Sequence, residues 1–200
     1  YNPGNPANLF AALVNLPEAE SYGAETEVTW YPSKSWQIDV GLGWLETQVT
    51  DGNLETSELP EAQREGFQNS VITGNELTNA PRWTGHFAIQ KFINLDAGDL
   101  DVLLHYEFKD KHIHQLAGMN SETWQYNMSE QAVGLWSLNI MFTFGNERQY
   151  QLSTWAKNLS DQAYCLERAV IPGTPVETTR LCAQGEPRSV GVTFKASLSP

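Results

Sequence analysis

The stretch GNELTNAPRWTGHFAIQKF, Gly74 to Phe92, decides how the chain is read. It opens on Gly, Asn and Thr, the residues of a loop, and passes Ala80 and Pro81 before its pattern changes. From there Trp83, Gly85, Phe87 and Ile89 fall on one side, and Thr84, His86 and Gln90 on the other. A period of two belongs to an extended strand, whose successive side chains point to opposite faces. Proline has no amide hydrogen to give to a ladder, so Pro81 suits the entrance of the strand.

The same period recurs along the chain. Trp36, Ile38, Val40, Leu42 and Trp44 oppose Gln37, Asp39, Gly41 and Gly43. Leu100, Val102, Leu104, Tyr106 and Phe108 oppose Asp101, Leu103, His105 and Glu107. Trp136, Leu138, Ile140, Phe142 and Phe144 oppose Ser137, Asn139, Met141 and Thr143, and Val190, Val192, Phe194, Ala196 and Leu198 oppose Gly191, Thr193 and Lys195. A weaker version places Ala24, Thr26, Val28 and Trp30 against Glu25, Glu27 and Thr29. The pattern predicts seven antiparallel strands over 20–31, 36–49, 82–93, 100–112, 132–144, 149–158 and 187–198. Short turns at 31–35, 94–99 and 145–149 take turns with long polar connections at 50–80, 112–130 and 161–186. Residues 8–16 leave a short helix, a loop and a frayed strand equally open.

Strands of roughly 10–13 residues exceed the five or six usual in a soluble sheet and suit a tilted membrane-spanning strand of about 9–11. Aromatic residues gather at strand ends: Trp30, Tyr31, Trp36, Trp44, Trp83, Trp136, Phe144 and Tyr150. One face reads as continuous and free of charge. The other carries Glu25, Glu27, Asp39, Asp101, His105, Glu107 and Lys195, which a dry core would not tolerate but a wet lumen would. The fold expected is therefore all-β, an antiparallel transmembrane β-barrel segment of about seven strands within a larger barrel. The alternative is a soluble antiparallel β-sandwich that binds carbohydrate, its apolar face turned into a core.

The formal net charge of -12 leaves no basic patch for nucleic acid. No apolar run reaches the roughly 20 residues of a transmembrane helix. The carboxylate pairs Glu25 with Glu27 and Asp101 with Glu107 fall on lumen positions with nothing to raise a pKa, so no catalytic residue is assigned. His112 and His114 share one side of a strand end, but no third ligand lies within sequence reach, and no metal site or cofactor is assigned. The two histidines, with Trp124 and Tyr126 in a long connection, are the candidate ligand contacts. Cys165 and Cys182 flank a Pro- and Gly-containing loop that a disulfide would close in an oxidising compartment. Two free thiols are the other reading.

Four segments resemble, in order, the barrel motifs of TonB-dependent outer-membrane receptors: ESYGAETEVTWYP (20–32), GNELTNAPRWTG (74–85), WAKNLSDQAY (155–164) and GEPRSVGVTFKASL (185–198). Ser160 stands where the third motif usually has Phe, and Leu198 where a closing aromatic is expected. The resemblance implies that residues 1–200 are the C-terminal part of one receptor barrel, with the plug domain outside this chain. It implies outer-membrane lipid, the plug, the remaining strands and, through a missing N-terminal part, the TonB complex as partners, in the outer membrane of a Gram-negative bacterium. The function implied is energised uptake of a scarce small-molecule ligand, foremost an iron–siderophore complex, with ligand contacts in the long loops.

Overall fold

A computed structural model describes residues 16–52, 73–114, 128–170 and 180–197. The elements are β1 (Glu18–Ser33), β2 (Trp36–Asp51), β3 (Trp83–Leu95), β4 (Gly98–Lys109), β5 (His112–Ile113), β6 (Ser129–Glu130), β7 (Val133–Phe144), β8 (Tyr150–Lys157), β9 (Cys165–Val170), β10 (Arg180–Gln184) and β11 (Ser189–Ala196). Seven of them form one antiparallel sheet in the order β1-β2-β3-β4-β7-β8-β11. The seven strands expected from the periodicity are these seven. The uncertain segment 8–16 lies almost wholly outside the described residues.

Register carries the two-sided pattern across the whole sheet. Val40 pairs with Phe87, which pairs with Tyr106, which pairs with Trp136. Ile38, Ile89, Leu104 and Leu138 form the next row towards the short turns, ending on Ala156 and Val190. Because the side-chain period is two, a slip of one residue anywhere would interleave the charged set with this face. Aromatic residues bracket it at both ends. Near the long connections Tyr22 meets Trp44 edge to face at 5.8 Å, and Tyr106 lies 4.5 Å from Trp136. Near the short turns Phe142, Phe144, Tyr150 and Phe194 follow one another at 5.3, 5.5 and 6.1 Å.

Among the described residues, nothing packs on the apolar face. Trp30, Val40, Leu42, Trp83, Leu152, Val190, Val192 and Phe194 are exposed, whereas the buried apolar side chains are Val49, Met128, Val133 and Cys165, all at the end with the long connections. Leaving a Val, Leu or Phe in water rather than burying it forgoes about 1.5–3 kcal/mol each.

Two expectations need correction. The apolar face is not free of charge: Lys91 sits on it, opposite Trp36 and Val102. Its aliphatic stem runs along the face while Nζ reaches the turn, 4.3 Å over the Trp36 ring and 3.1 Å from Ser35 Oγ. A cation at a strand end can escape an apolar surface this way. The long connections at 112–130 and 161–186 are also not wholly irregular. They contain the paired strands β5–β6, of two residues each and too short for a period to register in sequence, and β9–β10, of six and five residues.

Candidate functional site

The site is built at the end of the sheet that carries the long connections. There the stretch before Pro81 binds to the upper part of β2. Gly74 N donates to Val49 O (2.8 Å), Val49 N to Asn75 O (2.9 Å) and Leu77 N to Thr47 Oγ1 (3.0 Å). Gly74 (φ 90°) and Asn79 (φ 53°) take the left-handed conformation that Gly and Asn accept most readily. Asn79 N then donates to Ile113 O (2.8 Å), tying this limb to β5. The loop-like opening of the stretch thus serves to fasten the connection to two neighbouring strands.

A second knot centres on Asn158, buried at the end of β8. Its Nδ2 donates to Gln162 O (2.9 Å) and Glu186 O (3.0 Å), and its Oδ1 accepts from Gln162 N (2.9 Å). Leu159 N donates to Trp136 O (3.0 Å), Gly134 N to Gln162 Oε1 (3.1 Å) and Arg188 N to Asp161 Oδ1 (3.2 Å). The NLSDQ segment therefore joins β7, β8 and the entrance of β11. Ser160 is exposed, so the position where Phe was expected packs against no core here.

Between these knots lie the two small sheets. Cys165 and Cys182 are joined by a disulfide, Cα to Cα 5.4 Å, which closes the β9–β10 hairpin. From β9, Arg168 Nε donates to Glu130 Oε2 on β6 at 2.7 Å, with Glu130 buried and Arg168 half-buried. Removing Arg168 would strand the buried Glu130 carboxylate away from water. His112 pairs directly with Glu130 across the β5–β6 ribbon. His112 and His114 are both buried, with ring centroids 4.9 Å apart and edge to face. His112 Nδ1 lies 3.1 Å from Asp110 O, whereas neither ring nitrogen of His114 has a hydrogen-bond partner. Burial and the neighbouring His112 lower the His114 pKa, while Glu130 opposes them.

A cavity of about 550 Å³ opens between the charged face of the sheet and the disulfide hairpin. His86, Glu107, His112, Glu130, Tyr164 and Leu166 are among its lining residues. The His86 ring lies across Gly41, where a Cβ would collide with it, so the small residue on β2 makes room for the imidazole on β3. Of the four candidate contacts, the structure brings His112 and His114 together and sets His112 on the cavity wall. Trp124 and Tyr126 lie outside the described residues. Glu130, Tyr164 and Arg168 were missed, and only pairing between distant segments gives them significance. His86 was visible as a charged-face position on the opening strand. Among the described residues no three His, Cys, Asp or Glu side chains are grouped so as to hold a metal ion.

No family model matches the chain. Three solved structures share its fold. The ferric yersiniabactin uptake receptor FyuA from Yersinia pestis matches with a TM-score of 0.69 at 14% identity, over 89% of this chain and 23% of its own. The siderophore receptor PiuA from Acinetobacter baumannii matches with a TM-score of 0.60 at 16% identity, over 88% and 21%. The ferric citrate transporter FecA, unliganded, matches with a TM-score of 0.51 at 14% identity, over 89% and 31%. The chain spans about a quarter of the length of the first two. The seven-stranded antiparallel sheet is thus the fold of one part of each of these structures.

Proposed function

We propose that the chain forms wall, lumen lining and outer loops of an outer-membrane uptake receptor, and that its solute is an iron–siderophore complex. The carrying observation is a broad apolar face on which none of the described residues packs, bracketed by aromatic side chains at both ends. A soluble β-sandwich needs a second layer over that face, whereas a barrel wall has lipid there. On β2 the bracketing residues are Trp36 and Trp44. Eight residue steps at about 3.3 Å, tilted by about 40°, cover roughly 20 Å of height, close to the apolar band of such barrels.

In this reading the short turns face the periplasm and the long connections face outward. The charged face lines the lumen, against a plug domain supplied by the rest of the protein and coupled to TonB. The cavity under the disulfide hairpin is then an outer vestibule. The likeness to a ferric yersiniabactin uptake receptor, a siderophore receptor and a ferric citrate transporter supports ferric complexes as the solute class. Fluorescence titration of the detergent-purified protein with ferric siderophores, ferric citrate, cobalamin and oligosaccharides tests this. Saturable binding of a ferric complex is expected. Binding of an oligosaccharide alone would overturn the solute class, and recovery of the folded protein in the soluble fraction would overturn the barrel.

A further inference from the structure

His114 is buried with no hydrogen-bond partner on its ring, which lies 4.9 Å from the ring of His112, whose strand partner Glu130 holds Arg168 of the disulfide hairpin. Four titratable or charged neighbours act on it from four elements: Lys109 on β4, His112 on β5, Glu130 on β6 and Arg168 on β9. Lys109 and Arg168 are cations, and Glu130, the one carboxylate acting on it among the described residues, is already engaged by Arg168. A proton on His114 therefore adds a positive charge where, among the described residues, the counter-charge is already taken. The way to satisfy it is to share or take Glu130, and Arg168 then loses its buried partner. Among the described residues, Arg168 Nε to Glu130 Oε2 is the ion pair that joins the hairpin to the ribbon, and the disulfide makes β9 and β10 move together. Cys165, Tyr164 and Leu166 on the hairpin side and His112 and Glu130 on the ribbon side line the same cavity.

We propose that His114 is an acid-sensitive latch: proton uptake on its ring frees Arg168 from Glu130 and lets the β9–β10 hairpin lift from the β5–β6 ribbon, widening the cavity between them. The direction follows from burial. Because the closed form holds His114 below its ordinary pKa, the closed form is favoured at neutral pH, and its advantage is lost as pH falls below the ordinary histidine value of about 6.5. One extra proton bound by the open form makes opening about tenfold more frequent for each pH unit of acidification, until the closed form also protonates. The inference needs the outer end of the sheet and not the identity of the solute, so a failed siderophore titration leaves it standing.

Hydrogen–deuterium exchange of residues 165–170 and 180–184, in the detergent-purified protein between pH 7.5 and 5.0 and corrected for intrinsic exchange, provides the test. Wild type should lose protection as pH falls, with an onset near pH 6.5, while the main-sheet strands stay protected. His114→Phe, which keeps an aromatic ring without a titratable group, should hold its protection at pH 5.0. Glu130→Gln should be loosened at every pH. Flat wild-type exchange overturns the latch, as does an unchanged pH response in His114→Phe. If that variant fails to fold, wild type still decides: an onset near pH 4, in the carboxylate range, assigns the response to Glu130 and overturns the role of His114.

Discussion

Replacing Asn158 with Ala removes the centre of the knot that joins β7, β8 and β11. Three hydrogen bonds vanish: two donated to the carbonyls of Gln162 and Glu186, and one accepted from Gln162 N. At about 1 kcal/mol net each, they account for about 3 kcal/mol. The backbone adds to this, because Asn158 has φ 47° and Ala in the left-handed region costs about 1 kcal/mol more than a residue suited to it. The expected loss is about 4 kcal/mol. Asn158→Gly separates the two contributions, since Gly accepts the backbone but makes none of the bonds, and should lose about 3 kcal/mol. Urea unfolding in detergent micelles, followed by tryptophan fluorescence, reads the change, with Trp136 and Trp155 close to the knot. A loss below about 0.5 kcal/mol for Asn158→Ala would refute the role given to this side chain. Equal losses for Ala and Gly would refute the backbone part.

Other substitutions probe the faces and the outer hairpin. Leu104→Arg places a charge near the middle of β4 on the apolar face, between Ile89 and Leu138. It should cost about 2–4 kcal/mol and reduce assembled protein in membrane fractions, whereas Leu103→Arg on the charged face should assemble nearly normally. Arg168→Ala strands the buried Glu130 carboxylate and should destabilise the hairpin by about 3 kcal/mol, read as faster exchange at residues 165–170. Thiol alkylation followed by intact mass should add no label before reduction and two after it, since Cys165 and Cys182 are bonded and no other cysteine is present.

The sheet was legible in sequence because its signal is local. Alternation over strands such as Trp36–Asp51 needs no knowledge of a partner, and the alternation of short and long connections gives antiparallel order. Lys91 was misjudged for a related reason. Its position puts it on the apolar face, but only the pairing with Trp36 and the reach to Ser35 show how a cation remains there. The outer site was less legible. His112 and His114 stood out as a pair, yet their environment comes from Glu130 and from Arg168 on a separate hairpin. A two-residue strand such as Ser129–Glu130 has no period, and a part-buried ion pair joining residues 38 apart leaves no local trace. The Asn158 segment falls between these cases. Its motif was recognisable, but its job as a three-strand tie depends on Trp136 and Glu186.

Whether lipid covers the apolar face can be read with nitroxide labels scanned along β4 and β7 in the reconstituted protein, by comparing collisions with oxygen and with a water-soluble nickel chelate. Labels at Val102, Leu104, Leu138 and Ile140 should favour oxygen, and labels at Leu103, His105, Ser137 and Asn139 should not, giving a period of two along both strands. Labels at Leu104 and Ile140 shielded from both reagents would instead place a second protein layer over this face, and the barrel wall would have to be abandoned for a sandwich.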